Sequence, residues 1–157
     1  MMHPDIIDMA QKIKSMGLSV KIDTNGSYPE MLNKIISDRL ADFIAMDVKN
    51  YLKYSIYRIA AGKISEPVFE KILKSISILM HSDIEYEFRT TLVKGIHRDE
   101  DILGLARSLS GSRSWALQNF NPGKVLDPKA QMNSFSRHEF ESILRQINSI
   151  HHKTISR

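Results

Sequence analysis

An α/β fold built on a parallel sheet is what this sequence predicts, on three observations. Segments with apolar residues at helical spacing alternate with short apolar runs. The helical segments are roughly 10–15 residues long, the length that crosses over between parallel strands. The apolar runs close on Asp, Lys, Arg, Gln or Asn, where parallel α/β proteins bind ligands.

Each element follows from local pattern. Ile6, Met9, Ala10, Ile13 and Met16 recur at helical spacing, and Gly17 suits the C-terminal cap. Leu18 to Ile22 reads as a strand running into Asp23-Thr24-Asn25-Gly26. Ser27 is the expected N-cap of the next helix, with Pro29 in the first turn and Glu30 completing a capping box. That helix carries Met31, Leu32, Ile35 and Ile36 on one face. Phe43 to Met46 is a second strand closing on Asp47. Residues 51–61 are aromatic and irregular and suit a short helix within a loop.

Ser65 or Glu66 opens a long amphipathic helix bearing Val68, Phe69, Ile72, Ile76 and Leu79. Glu85 to Leu92 reads as a strand, and Ile102, Leu105, Ala106 and Leu109 as a helix. Ser114 to Phe120 is the next strand, followed by a turn-rich loop through Asn121-Pro122-Gly123-Lys124. Ser136, with Glu139 three residues on, opens a last helix bearing Phe140, Ile143, Leu144 and Ile147. Lys153 to Ser156 suits a final strand. Periodicity alone leaves two architectures open, a doubly wound sheet and an arc of a barrel. A chain that opens on a helix is unusual for both and suggests a strand cut away upstream.

The 157 residues suit a single domain spanning 1–157, and 42% hydrophobic content supplies a core. A net charge of +4 arises from 22 basic and 18 acidic residues, largely interspersed. A nucleic-acid interface needs a clustered basic face, so none is expected. The chain has no cysteine, which excludes disulfides and any Cys-ligated zinc or iron–sulfur site within these residues. No apolar run approaches the ~20 residues of a membrane span. Met1-Met2-His3-Pro4 lacks the charged and apolar regions of a signal peptide, so a cytoplasmic protein is expected.

Four strand ends carry the polar residues. They are Asp23-Thr24-Asn25-Gly26, Asp47-Val48-Lys49, Arg89-Thr90-Thr91 with Lys94-Gly95-Ile96-His97, and Gln118-Asn119-Phe120-Asn121-Pro122. Two aspartates on neighbouring strands suit a hard cation. Lys49 lies two residues after Asp47 and points the same way if the strand persists, ready for a substrate carboxylate. Plainer roles compete. Asp-Thr-Asn-Gly is also ordinary turn composition, and Asp47 and Lys49 could form a simple ion pair. His97, His81, His138, His151 and His152 could be surface loop residues, and most of the methionines are expected in the core. Trp115 and Phe120 could be plain strand packing. No Ser-His-Asp arrangement, Gly-rich phosphate loop or HExxH motif is present.

Lys-Ile-Asp-Thr-Asn-Gly, Phe-Ile-Ala-Met-Asp-Val-Lys, Glu-Phe-Arg-Thr-Thr-Leu-Val-Lys-Gly-Ile-His and Leu-Gln-Asn-Phe-Asn-Pro-Gly-Lys follow one another in series from Lys21 to Lys124. This series resembles the radical S-adenosylmethionine activases. The activating proteins of anaerobic ribonucleoside-triphosphate reductase resemble it best, with pyruvate formate-lyase activating enzymes close behind. The resemblance implies a partial (β/α) barrel of which this chain is the C-terminal portion. It also implies a four-iron four-sulfur cluster, held by a C-x-x-x-C-x-x-C loop that is absent here. Met1-Met2-His3-Pro4 resembles the stretch directly after the family's Gly-Gly-Glu-Pro segment.

Site residues are implied one by one. Asp23 and Thr24 match positions lining the adenosylmethionine carboxylate and a monovalent cation. Asp47 matches a cation-site carboxylate, with the backbone of Ala45 beside it. Lys49 matches a lysine that holds the amino-acid moiety. Thr91 falls where a strand residue touches the ribose or adenine, with Arg89 leading that strand. Gln118 and Phe120 match the reductase group, whereas the formate-lyase activases carry a histidine at Phe120.

The resemblance implies a partner, a glycyl-radical enzyme of the anaerobic ribonucleotide reductase kind. It implies a reaction too, reductive cleavage of S-adenosylmethionine to a 5′-deoxyadenosyl radical. Without cysteines the chain alone is expected to be inert, with weak residual adenosylmethionine affinity. Two other readings compete. One is a cluster-free binding or scaffold domain of the same fold. The other is an aldolase-type lyase with a Schiff base at Lys49. An unpaired strand edge at Leu18 to Ile22 predicts self-association.

Overall fold

The computed structural model describes residues 5–124, 132–151 and 153–156. Along the chain run α1 (Ile6–Ser15), β1 (Lys21–Thr24), α2 (Pro29–Ser37), β2 (Phe43–Asp47), α3 (Tyr54–Ala61) and α4 (Glu66–Met80). Then come β3 (Glu85–Leu92), α5 (Asp99–Ser108), β4 (Trp115–Asn119), a single 3₁₀ turn at Pro122–Lys124, α6 (Arg137–Asn148) and β5 (Thr154–Ser156). Met1-Met2-His3-Pro4 and His152 lie outside the described residues.

The strands are hydrogen-bonded in the order β1-β2-β3-β4-β5. Pairing is parallel where β1 meets β2 and where β4 meets β5, and helix separates each pair of consecutive strands. Parallel neighbours need such crossovers. A doubly wound sheet reverses its strand order at a switch point, and this one does not. The consecutive order is that of an arc of a (β/α) barrel, which decides between the two architectures periodicity left open.

Two compact units make up the chain. The first comprises Met1–Val48 and Ile64–Phe88. In α4, Phe69, Ile72, Ile76 and Leu79 are spaced three and four residues apart, so one stripe is buried. Leu32 and Ile35 of α2 are buried likewise, and α2 packs against α4. Each such side chain contributes about 1.5–3 kcal/mol on burial. In β2, Ile44, Ala45 and Met46 are all buried in succession, as in a parallel strand covered on both faces.

Three expectations shift within this unit. The first strand begins at Lys21 rather than Leu18, so Asp23 and Thr24 are its last residues rather than its following turn. Ser27 does not cap α2. The cap position is Tyr28, while the Ser27 hydroxyl donates to Asn25 Oδ1 (2.7 Å) and Glu30 pairs instead with Lys74 (3.0 Å). Of the apolar stripe on α1 only Ala10 is buried; Met9 and Met16 are 56% and 71% exposed. A cleft of about 1110 Å³ opens among α2, α4 and the chain just before β2 and β3, lined by Arg39, Lys74, His81 and Asp83 among others. It sits at the N-terminal ends of these strands, away from Asp23 and Asp47.

The second unit comprises Lys49–Lys63 and Arg89–Arg157. Here α5 packs on α6, and α6 on β5. Within residues 51–61, irregular by pattern, the expected short helix is α3 (Tyr54–Ala61), with Tyr57 buried. Gly104 of α5 lies against the Tyr51 ring, where a Cβ would come within 2.9 Å. Three acidic residues occupy the first turn of α5, where the helix dipole favours them.

Ser136 and Glu139 form the expected capping box of α6. The Glu139 N–H donates to Ser136 Oγ (3.3 Å), and the Ser136 N–H donates to the Glu139 carboxylate (2.8 Å). The Lys94 ammonium lies 2.6 Å from the same carboxylate. Lys94 above all, then the Ser136 N–H and hydroxyl, lower the Glu139 pKa from 4.5 to about 2. A depressed carboxyl contributes stability that is present above the unfolded value and lost as pH falls through the folded one. Unfolding followed from pH 5 to pH 2 is therefore expected to lose stability over the window from 4.5 towards 2. Glu139→Gln should flatten that part of the acid profile, and an unchanged slope would count against it.

Candidate functional site

In the first unit, β1 and β2 end together. Asp23 is in register with Ala45, and Thr24 with Met46. Side chains alternate along a strand, so Asp23, Ala45 and Asp47 share one face of the sheet, and Thr24 and Met46 the other. Burial agrees: Asp23 is exposed and Thr24 buried. The structure thus brings Asp23 and Asp47 to one face and turns the Thr24 side chain away from it. There the Thr24 hydroxyl accepts the Gly26 N–H (3.1 Å). The Ser27 N–H donates to Asn25 Oδ1 (3.1 Å), so the Asp-Thr-Asn-Gly segment is also a hydrogen-bonded turn.

Asp23 lies 4.0 Å from Lys21, and both are half-exposed. Such a pair is worth little, and Asp23 has further interaction partners of its own. Asp47 is half-buried and has interaction partners of its own. Among the described residues, no three His, Cys, Asp or Glu side chains converge as a metal cluster. A cation at this face would lean on two carboxylates and on backbone oxygen.

The second unit carries the remaining candidates. β2 stops at Asp47, so Lys49 lies just past the ladder, but burial still alternates through Val48, Lys49 and Asn50. The Lys49 peptide is held on both sides. Its N–H donates to the Tyr57 hydroxyl (3.2 Å), and its carbonyl accepts from His97 Nε2 (2.8 Å). His97, a strand-end candidate for which a surface loop was the plainer reading, is 5% exposed, in a turn closed by its own N–H donating to the Val93 carbonyl (3.0 Å).

Arg89 and Thr91 alternate with buried Phe88, Thr90 and Leu92, and so share one face of β3. Arg89 is the fifth residue of that strand rather than its leader. The Thr91 hydroxyl donates to Gln118 Oε1 (3.3 Å), which joins two of the predicted residues. Phe120 follows β4 half-buried, its N–H on the Leu92 carbonyl (3.0 Å). His151, like His97, is buried rather than exposed; its Nε2 lies 2.8 Å from Ser112 Oγ.

Sequence reasoning placed His97 and Asn119 among the polar strand ends without their partners, and it missed Tyr57. Tyr57 and His97 hold Lys49. Asn119 grips the chain before α6 by a pair of bonds, Nδ2 to the Phe135 carbonyl (2.8 Å) and Oδ1 from the Phe135 N–H (3.0 Å). Only folding brings such distant partners together, so no local pattern announced them.

Strands in consecutive order, parallel where β1 meets β2 and β4 meets β5 and joined by helices, define an α/β protein of the (β/α) class. No protein-family profile matches the chain. It is similar to a protein of Methanocaldococcus jannaschii named "Putative glycyl-radical enzyme activating enzyme", 32% identical over 151 residues. The match covers 96% of this chain and 61% of that relative. The likeness supports the activase family that the strand-end motifs resemble. The chain spans less than two thirds of that relative's length.

Proposed function

We propose that residues 1–157 act as one domain, the C-terminal portion of a radical S-adenosylmethionine activase. The partner is a glycyl-radical enzyme of the anaerobic ribonucleotide reductase kind, and the setting is the cytoplasm. The observation that carries this reading is the likeness over 96% of the chain, in which the polar strand ends lie.

The residues suit adenosylmethionine in part. Lys49, with its peptide anchored, would pair with the carboxylate of the amino-acid moiety. Asp23 and Asp47 would take a monovalent cation together with the Ala45 backbone, and Thr24 would contribute through its backbone. Arg89, Thr91, Gln118 and Phe120 would meet the nucleoside.

An iron–sulfur cluster does not suit these residues, because thiolate ligation needs cysteine and the chain has none. Any cluster must come from residues outside the 157. When bound and reduced in an intact activase, the cofactor supplies a deoxyadenosyl radical. This chain's share is binding and orientation, and by itself it does not cleave the cofactor.

The missing cysteines favour a second reading, a cluster-free binding domain of the same fold. The coding sequence upstream of Met1 separates the two: three clustered cysteines in frame support the activase, and a stop codon the binding domain. For ligand binding, calorimetric titration with S-adenosylmethionine should show an interaction that Lys49→Met weakens about tenfold to a hundredfold. Equal affinity in the variant would remove Lys49 from the site.

A further inference from the structure

We propose that His97 is a positioning residue for Lys49: with Tyr57 it clamps the Lys49 peptide and so sets where the lysine ammonium can reach. The proposal rests on the reading that Lys49 holds the carboxylate of adenosylmethionine.

Past the end of β2 the ladder no longer fixes the backbone, and this is where Lys49 lies. A lysine carries its charge on a flexible four-carbon stem. Unless the peptide is held, the volume open to the ammonium shifts with it, and a binding group has to be placed within about 0.5 Å. The two peptide groups that flank the Lys49 Cα each find a partner on a buried side chain, Tyr57 Oη for the Lys49 N–H and His97 Nε2 for the Lys49 carbonyl.

The histidine is oriented in turn. The Val93 N–H donates to Nδ1 (3.0 Å), so Nδ1 keeps its lone pair and Nε2 carries the proton given to Lys49. The turn from Val93 to His97 includes Gly95 at φ +89°, a conformation that suits glycine. Val93, the turn and His97 therefore form a strut from the end of β3 to the lysine.

Two substitutions separate positioning from simple support of the turn. In His97→Asn the amide reaches only the Nδ1 position, so the Val93 bond survives and the Lys49 bond is lost. In His97→Gln it reaches the Nε2 position, with the opposite result. Titration with S-adenosylmethionine should find His97→Gln within about threefold of the parent chain, and His97→Asn about tenfold weaker. Amide hydrogen exchange at Lys49 should quicken in His97→Asn alone.

Equal affinity in the two variants, or parental affinity in His97→Asn, overturns the positioning role while Lys49→Met still reports on the adenosylmethionine site. No binding by the parent chain overturns the adenosylmethionine reading and this role with it. Hydrogen exchange then shows whether the clamp serves the fold alone.

Discussion

Trp115→Ala is expected to lower the unfolding free energy by about 4 kcal/mol. Trp115 opens β4 and is fully buried, so alanine leaves a cavity at the centre of the second unit's core. Its indole N–H donates to the Thr90 hydroxyl (3.0 Å), and its ring meets His151 edge-on at 5.8 Å between centroids. The loss thus combines transfer, cavity and a broken buried hydrogen bond. Urea unfolding followed by circular dichroism measures it. Trp115→Phe keeps most of the volume and should cost distinctly less. A loss under about 1 kcal/mol for alanine would mean that this core repacks freely.

Gly26→Ala should destabilise the first unit by about 2–3 kcal/mol, through two causes. Gly26 has φ +78°, where an L side chain is strained. A Cβ there would also collide with Met46 Cε, the far end of a flexible but fully buried side chain that must move aside. The Gly26 carbonyl accepts from Ser75 Oγ (2.7 Å), so the same shift loosens the turn from α4. Thermal unfolding should register the loss whether or not adenosylmethionine is present, since the demand is steric. Protein as stable as the parent would show that the turn adapts.

Both predictions concern residues that the sequence marked for other reasons. Gly26 stood out within a candidate ligand motif, and the structure adds a packing role. Trp115 stood out only as strand filler, yet its N–H found a hydroxyl on a different strand. The capping box at Ser136 was legible because its signal is contained in four residues and no other partner takes its groups apart there. The same pattern at Ser27 misled. Asn25 took the Ser27 hydroxyl and Lys74 took Glu30, one from a turn and the other from a helix 44 residues away.

By itself the sequence determined the order of helices and strands, the polar character of each strand end and the absence of thiolate chemistry. These follow from periodicity, residue type and composition, which are local or additive. Only the tertiary structure decided the consecutive strand order and the face on which each strand-end residue lies. It set Asp23 with Asp47 and turned Thr24 away, because register and alternation act across strands. It also buried His97 and gave it Lys49 as a partner 48 residues distant, a pairing created by the crossover of the chain and by no local rule.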